Sequence, residues 1–229
     1  MISNNAKIPY LRVIFDNMIS IDEIPLFRGA IINKVSQELS LFHNHNGEGF
    51  YYRYPLIQYK RIGGKAAIFC VGQGTESIAN FFSQPDFSVR MGERDDVLSV
   101  ESIIANQWLL QVWDGEFRYS IRKWLPFNKK NYDLYQMEDS LIKRTQQLEK
   151  ILKGNILSMS SGLNHYIEKQ IEAKIVNYDD SHVYSFKGIG MQGIDAVFTT
   201  NVYMPDYIGV GKGVSLGFGM IKTITANNQ

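Results

Sequence analysis

The chain has 229 residues, 45% of them hydrophobic, and a formal net charge of +1. That length suits one large domain or two of about 100 residues each, and the apolar content excludes bulk disorder. A net charge near zero excludes a protein that coats nucleic acid by charge alone, while leaving a local basic groove open.

In chain order, LRVIF (residues 11–15) reads as a strand with Leu11, Val13 and Phe15 on one face. Asp22 precedes a helix with Pro25 in its first turn, where proline is tolerated. Phe27, Ile31, Val35 and Leu39 recur every four residues as its buried stripe, and the helix is expected to end near Leu41 or Phe42. GFYYRYPLIQYK (49–60) has strand composition, and Pro55 demotes it to an edge or bulged strand. Gly63-Gly64 is a turn signal before the buried strand KAAIFCV (65–71). A short helix over 76–82 and a strand between Phe87 and Ser99 complete a β-α-β-β-α-β order, the ferredoxin-like pattern.

The second half opens with IIANQWLLQVW (103–113) as a strand, with Asp114-Gly115 as a turn signal before FRYSIRKWL. A helix is expected over 139–153, with Leu141, Leu148, Ile151 and Leu152 inward and Gly154 as its cap. Then come IEAKIV (171–176), a turn at NYDD, the segment 183–202, a glycine-rich segment and the strand FGMIKTI (218–224). The order resembles a degraded second copy of the first half, its second helix reduced around Pro205. The fold class expected is therefore α+β, with two tandem ferredoxin-like (RRM-like) domains over residues 1–100 and 101–229 and a glycine-rich loop near the C-terminus.

Cys70 is the only cysteine, which rules out an intrachain disulfide and a thiolate zinc cluster. Its apolar surroundings read as a buried, inert thiol. The segment MISNNAKIPY lacks the basic-then-apolar order of a signal peptide, and no apolar run approaches the roughly 18 residues that span a bilayer. A soluble, cytoplasmic chain without a membrane partner is the expectation.

Three constellations could carry chemistry. Gly209, Gly211, Gly213, Gly217 and Gly219 fall within eleven residues, together with Lys212 and Ser215. Such a loop can aim N–H groups at a phosphate, or can simply make a tight connection between strands. It is neither a Walker loop nor a dinucleotide fingerprint, because no helix opens after it. The second constellation is His43 and His45, in LFHNHNGEGFYYRYP, with Tyr51, Tyr52 and Lys60 shortly after. Histidine suits a general base or acid near neutral pH, although a polar loop also accommodates it as a solvated residue. The third is FRYSIRKWLPFNKKNY, where Arg118, Arg122, Lys123, Lys129 and Lys130 interleave with aromatic rings. Cations for phosphate and rings for stacking suit RNA; a solvated strand edge and loop is the bland alternative.

TTNVYMPDYIGVGKGVSLGFGMIK (199–222) resembles the C-terminal signature of the CRISPR repeat-associated (RAMP) proteins, in its guide-RNA maturation branch. The resemblance is strong over that segment, and the element order fits nearly the whole chain. It implies two ferredoxin-like domains, RNA contact by the glycine-rich loop, and an endoribonuclease that cuts CRISPR repeat RNA without a cofactor or metal. It also implies attack by the 2′-hydroxyl, a 2′,3′-cyclic phosphate product, and a histidine after the first helix, the place of His43 and His45; the residues do not choose between them. Repeat RNA is the implied partner; association with effector-complex subunits and formation of a homodimer stay open. The alternative implied by the same family is a non-catalytic RNA-binding subunit of an effector complex.

Overall fold

The computed structural model describes residues 7–35, 45–46, 49–50 and 54–225, with side chains left aside at 45, 46, 49 and 50. It divides into two compact units, Lys7–Trp108 with Ser215–Gly217, and Leu109–Val214 with Phe218 onward.

The N-terminal unit is built on β1 (Lys7–Met18), α1 (Ile24–Lys34), β2 (His45–Asn46), β3 (Gly49–Phe50), β4 (Ile57–Ile62) and β5 (Lys65–Val71). These are followed by α2 (Gly74–Ser77), α3 (Ala79–Phe82), β6 (Ser88–Met91), β7 (Arg94–Val97) and β8 (Val100–Leu109). Its main sheet has the order β4-β5-β1-β8. β4 is an edge strand, but it starts at Ile57, after Pro55, so the strand expected over 49–60 does not run through the proline; Gly63 and Gly64 turn it into β5 at φ +59° and +89°. Proline in the first turn of α1 costs no hydrogen bond. Phe27 and Ile31 of α1 are fully buried against Val13 and Phe15 of β1 and Ile68 of β5. Phe15 meets Phe27 and Phe81 edge-on, with ring centroids 5.9 and 6.3 Å apart. Truncating such a ring typically costs about 3–5 kcal/mol.

Three expectations change here. The strand expected between Phe87 and Ser99 is the hairpin β6–β7, which forms a sheet of its own, and β8 takes the place beside β1. α1 ends at Lys34, because Val35 is extended (ψ 150°); Leu39, Leu41 and Phe42 lie outside the described residues. The segment 103–113 is not one strand. It joins the end of β8, which completes the first sheet beside β1, to the start of the first strand of the second. Apolar continuity hides a break between strands when residues on both sides of it are apolar.

The C-terminal unit contains β9 (Val112–Trp124), α4 (Lys129–Met137), α5 (Leu141–Gly162), β10 (Ala173–Phe186), β11 (Ile189–Val202), a 3₁₀ turn (Val214–Leu216) and β12 (Met220–Thr223). The sheet order is β10-β11-β9-β12, the same permutation as in the first unit. α5 supplies the helix between the first two strands. Between β11 and β12, where the second helix of this fold stands, the glycine-rich segment runs instead. Tyr119, Ile121, Phe198 and Ile221 on one sheet face, and Leu148, Leu152, Ile156 and Met159 of α5, are all fully buried.

The second unit corrects several local readings. Gly154 lies inside α5 rather than capping it, because the buried stripe continues through Ile156 and Met159. That packing exceeds the roughly 1 kcal/mol a helical glycine costs. Leu141, expected inward, is 66% exposed in the first turn. NYDD belongs to β10, whose register shifts absorb it, and the chain reverses instead at Lys187-Gly188, φ +53° and +77°. Asp114-Gly115 lies within β9.

Candidate functional site

Each half of the expected site falls in one unit. In the N-terminal unit, His45 stands in a two-residue ladder opposite Phe50, and Asn46 opposite Gly49. His43, Tyr51 and Tyr52 lie outside the described residues, so among the catalytic candidates the side chain of Lys60 alone is placed.

Lys60 is on β4, opposite Ala67 of β5. Strand alternation puts Tyr59 into the core under α1, where its ring meets Phe27 at 5.9 Å, and sends Lys60 and Gln58 to the opposite face. Lys60 is nevertheless fully buried, and its Nζ has no hydrogen-bond partner among the described residues. An ammonium without solvent or a counter-charge is costly, and burial lowers its pKa from 10.5 to about 7. Beside it run Ser215–Gly217 of the glycine-rich segment. A Cβ placed on Gly217 would stand 3.9 Å from Lys60 Cα, 3.5 Å from the Tyr59 carbonyl oxygen and 3.2 Å from Ile24 Cδ1. The strand thus places the buried lysine beside a glycine whose φ of +80°, rather than any lack of space, disfavours a side chain.

In the C-terminal unit the glycine-rich and basic–aromatic segments meet. Gly219 N–H donates to the Lys123 carbonyl at 3.1 Å, and Val210 N–H to the Gly219 carbonyl at 2.8 Å. The Lys212 ammonium donates to the Phe127 carbonyl at 3.0 Å, two residues before Lys129 and three before Lys130 in the first turn of α4. Partial burial lowers the Lys212 pKa. Gly211 lies against Trp124, whose indole N–H donates to Asn155 Oδ1 at 2.9 Å. Gly211, Gly213, Gly217 and Gly219 all have φ between +62° and +97°, while Gly209 bridges to Met220 and Ser215 sits in the 3₁₀ turn. At Gly219 any Cβ would overlap the Val210 carbonyl oxygen.

Asp195 carries a role that sequence reading missed. At a register shift in β11 its carboxylate accepts from Arg122 Nη1 at 2.8 Å and from Lys123 N–H at 2.7 Å. This clamps the end of β9, where Lys123 takes φ +52° and its Nζ stands 5.3 Å from the Tyr184 ring centroid. The signal available was one aspartate in an apolar strand, which names no partner. Arg118 is four residues up the same strand, about 13 Å from Arg122 by strand rise, and exposed on the same face.

Two ferredoxin-like sheets of one strand order, with a glycine-rich connection before the last strand of the second, define a RAMP-type protein of the CRISPR systems. The family model of the Cas6b N-terminal domain matches residues 6–107, and that of the Cas6b C-terminal domain matches 111–224. The chain belongs to the Cas6b family. It is similar to a solved Cas6b structure at 27% identity and a TM-score of 0.84, covering 96% of this chain and 100% of that one. A second structure, the CRISPR RNA processing endoribonuclease Cas6b, matches at 25% identity and a TM-score of 0.71 over the same shares. The type IV Cas6 crRNA endonuclease Csf5, at 12% identity and a TM-score of 0.52 over 96% of this chain and 100% of that one, shares the fold. The uncharacterized protein MJ0978 of Methanocaldococcus jannaschii is 41% identical over 101 residues, 44% of this chain and 67% of that protein. No described helix is long and apolar enough to cross a membrane.

Proposed function

We propose that this chain is an endoribonuclease that cuts CRISPR repeat RNA into guide RNAs in the cytoplasm. The observation that carries the reading is membership of the Cas6b family over both domains, with a backbone that follows a CRISPR RNA processing endoribonuclease over 96% of the chain. The chemistry proposed is metal-independent transesterification. The ribose 2′-oxygen forms a bond to the neighbouring phosphorus, the bond to the 5′-oxygen breaks, and a 2′,3′-cyclic phosphate and a 5′-hydroxyl result. One imidazole of the His43/His45 pair takes the 2′-OH proton and an acid returns a proton to the leaving 5′-oxygen. Tyr51 or Tyr52 can serve as that acid or orient it.

Lys60 suits the remaining task. Negative charge accumulates on the phosphorane oxygens, and a desolvated ammonium stabilises such charge far better than one in water. With no partner among the described residues, Lys60 forfeits no hydrogen bond when it turns to the phosphate.

The test is single-turnover cleavage of a repeat RNA by the full chain. Cleavage should persist in excess EDTA, stop with a 2′-deoxy substitution at the cut site, and leave a cyclic phosphate. Replacing both His43 and His45 with alanine should slow it by about a hundredfold or more, with RNA affinity little changed. Strict magnesium dependence would overturn the mechanism, and binding without cleavage would make the chain an RNA-binding subunit.

A further inference from the structure

The face of the C-terminal sheet away from α5 has a charge pattern that the loop and the histidines do not use. Alternation places Arg118, Ser120 and Arg122 of β9 on this face, with Val197 and Thr199 of β11 and Lys222 of β12. Lys174 of β10 stands opposite Thr199, which in turn stands opposite Arg118; Lys222 stands opposite Ser120. Residues of the other parity, among them Tyr119, Phe198 and Ile221, are buried, which fixes the direction of this set. Lys174, Arg118 and Lys222 are exposed and form no ion pair among the described residues. The one acid in the middle of the face, Asp195, is taken by Arg122 and the Lys123 N–H.

Inter-strand spacing puts Lys174 and Arg118 about 10 Å apart, with the small Thr199 between them. Beside that row, at the start of β9, is a cavity of about 320 Å³ lined by Trp113, Lys174, Asn201, Glu116 and Glu172 among others. Its volume lies at the lower end of small-ligand pockets. Trp113 is 36% exposed, an indole partly open to solvent. The three carboxylates that line it, Asp114, Glu116 and Glu172, repel a phosphate, but they accept hydrogen bonds from the exocyclic amino group of a nucleobase.

We propose that this sheet face is a platform for single-stranded RNA, its phosphates held by Lys174, Arg118 and Lys222 and one amino-bearing base seated beside Trp113. The proposal rests on the RNA-processing reading above. It places the flank of the repeat, rather than the scissile phosphate, on the C-terminal sheet. Cations in a row with one aromatic ring at its end are the elements that single strands require: charge for the backbone, a flat surface for an unstacked base. A duplex would present neither a free base nor room for the ring.

The experiment measures binding of the full chain to a single-stranded repeat RNA, 2′-deoxy at the cut site, by anisotropy across a salt series. Lys174→Gln/Lys222→Gln should weaken binding about tenfold or more near 0.1 M salt and flatten the log–log salt slope by about 1.4, two single-strand contacts. Trp113→Leu should weaken it roughly tenfold with the slope unchanged, and uridine at the contacted position should weaken it likewise. Lys150→Ala, an exposed lysine on α5, is the control and should change neither quantity. Wild-type affinity and slope in the double lysine variant, or an equal loss in Lys150→Ala, would overturn the platform while leaving the RNA-processing reading standing. A wild-type chain that binds no repeat RNA would remove both.

Discussion

Gly217 and Lys60 meet at the edge of β4: a Cβ built on Gly217 would stand 3.9 Å from Lys60 Cα. The glycine is at φ +80°, a conformation that side chains rarely adopt, and it lies beside the strand that carries the fully buried lysine.

The glycines of this segment should differ in tolerance. Gly217→Ala incurs a left-handed backbone cost of about 1–2 kcal/mol and a 3.2 Å contact with the flexible end of Ile24. Gly219→Ala adds overlap with the Val210 carbonyl oxygen, part of the backbone that holds the loop closed. Urea denaturation should show Gly217→Ala modestly destabilised and Gly219→Ala lost or severely destabilised. Equal stability of the two variants would contradict the loop geometry.

Lys60 should make stability pH-dependent with a definite sign. Its folded pKa is depressed from 10.5 to about 7 by burial. Between those values the unfolded chain binds a proton that the folded chain does not, so this group makes stability rise with pH. Below about pH 7 both states are charged and the folded state bears the full cost, on the order of a few kcal/mol. Lys60→Met should therefore gain most over the natural chain at pH 6 and less at pH 9, with the gain levelling off above about pH 10.5. Urea midpoints of the two proteins measured across that range would show it; parallel curves would mean that Lys60 is not buried as a cation.

Lys212→Ala separates holding RNA from cutting it. Its ammonium already donates to the Phe127 carbonyl, so the change should cost about 0.5–1.5 kcal/mol of stability. It should also weaken RNA binding and reduce the log–log salt slope by about 0.7, one single-strand phosphate contact. At saturating protein the single-turnover rate should recover, because a contact made equally before and in the transition state does not alter the step itself. A filter-binding salt titration paired with single-turnover cleavage reads both; unchanged affinity and slope would confine Lys212 to holding the loop against Phe127.

The local signals in the sequence were read correctly where one residue type decides the geometry. Gly63-Gly64 turned the chain, Pro25 opened a helix, and KAAIFCV was β5 residue for residue. The order of elements, and with it the paired ferredoxin-like arrangement, follows from such signals. The glycine-rich segment likewise announced itself, because positive φ at Gly211, Gly213, Gly217 and Gly219 leaves few alternatives to glycine.

What the sequence could not decide depended on partners far along the chain. Gly154 looked like a helix end until the buried faces of Ile156 and Met159 extended α5 past it, and NYDD looked like a turn until pairing with β11 drew it into β10. That Asp195 clamps Arg122 is a matter of register between strands 73 residues apart. That Lys60 is desolvated, and that Lys174, Arg118 and Lys222 share one open face, follows from which side of a strand each occupies and what covers it. Composition and spacing determine which groups are available; burial and register, set only when the sheets assemble, determine their charge state and their neighbours.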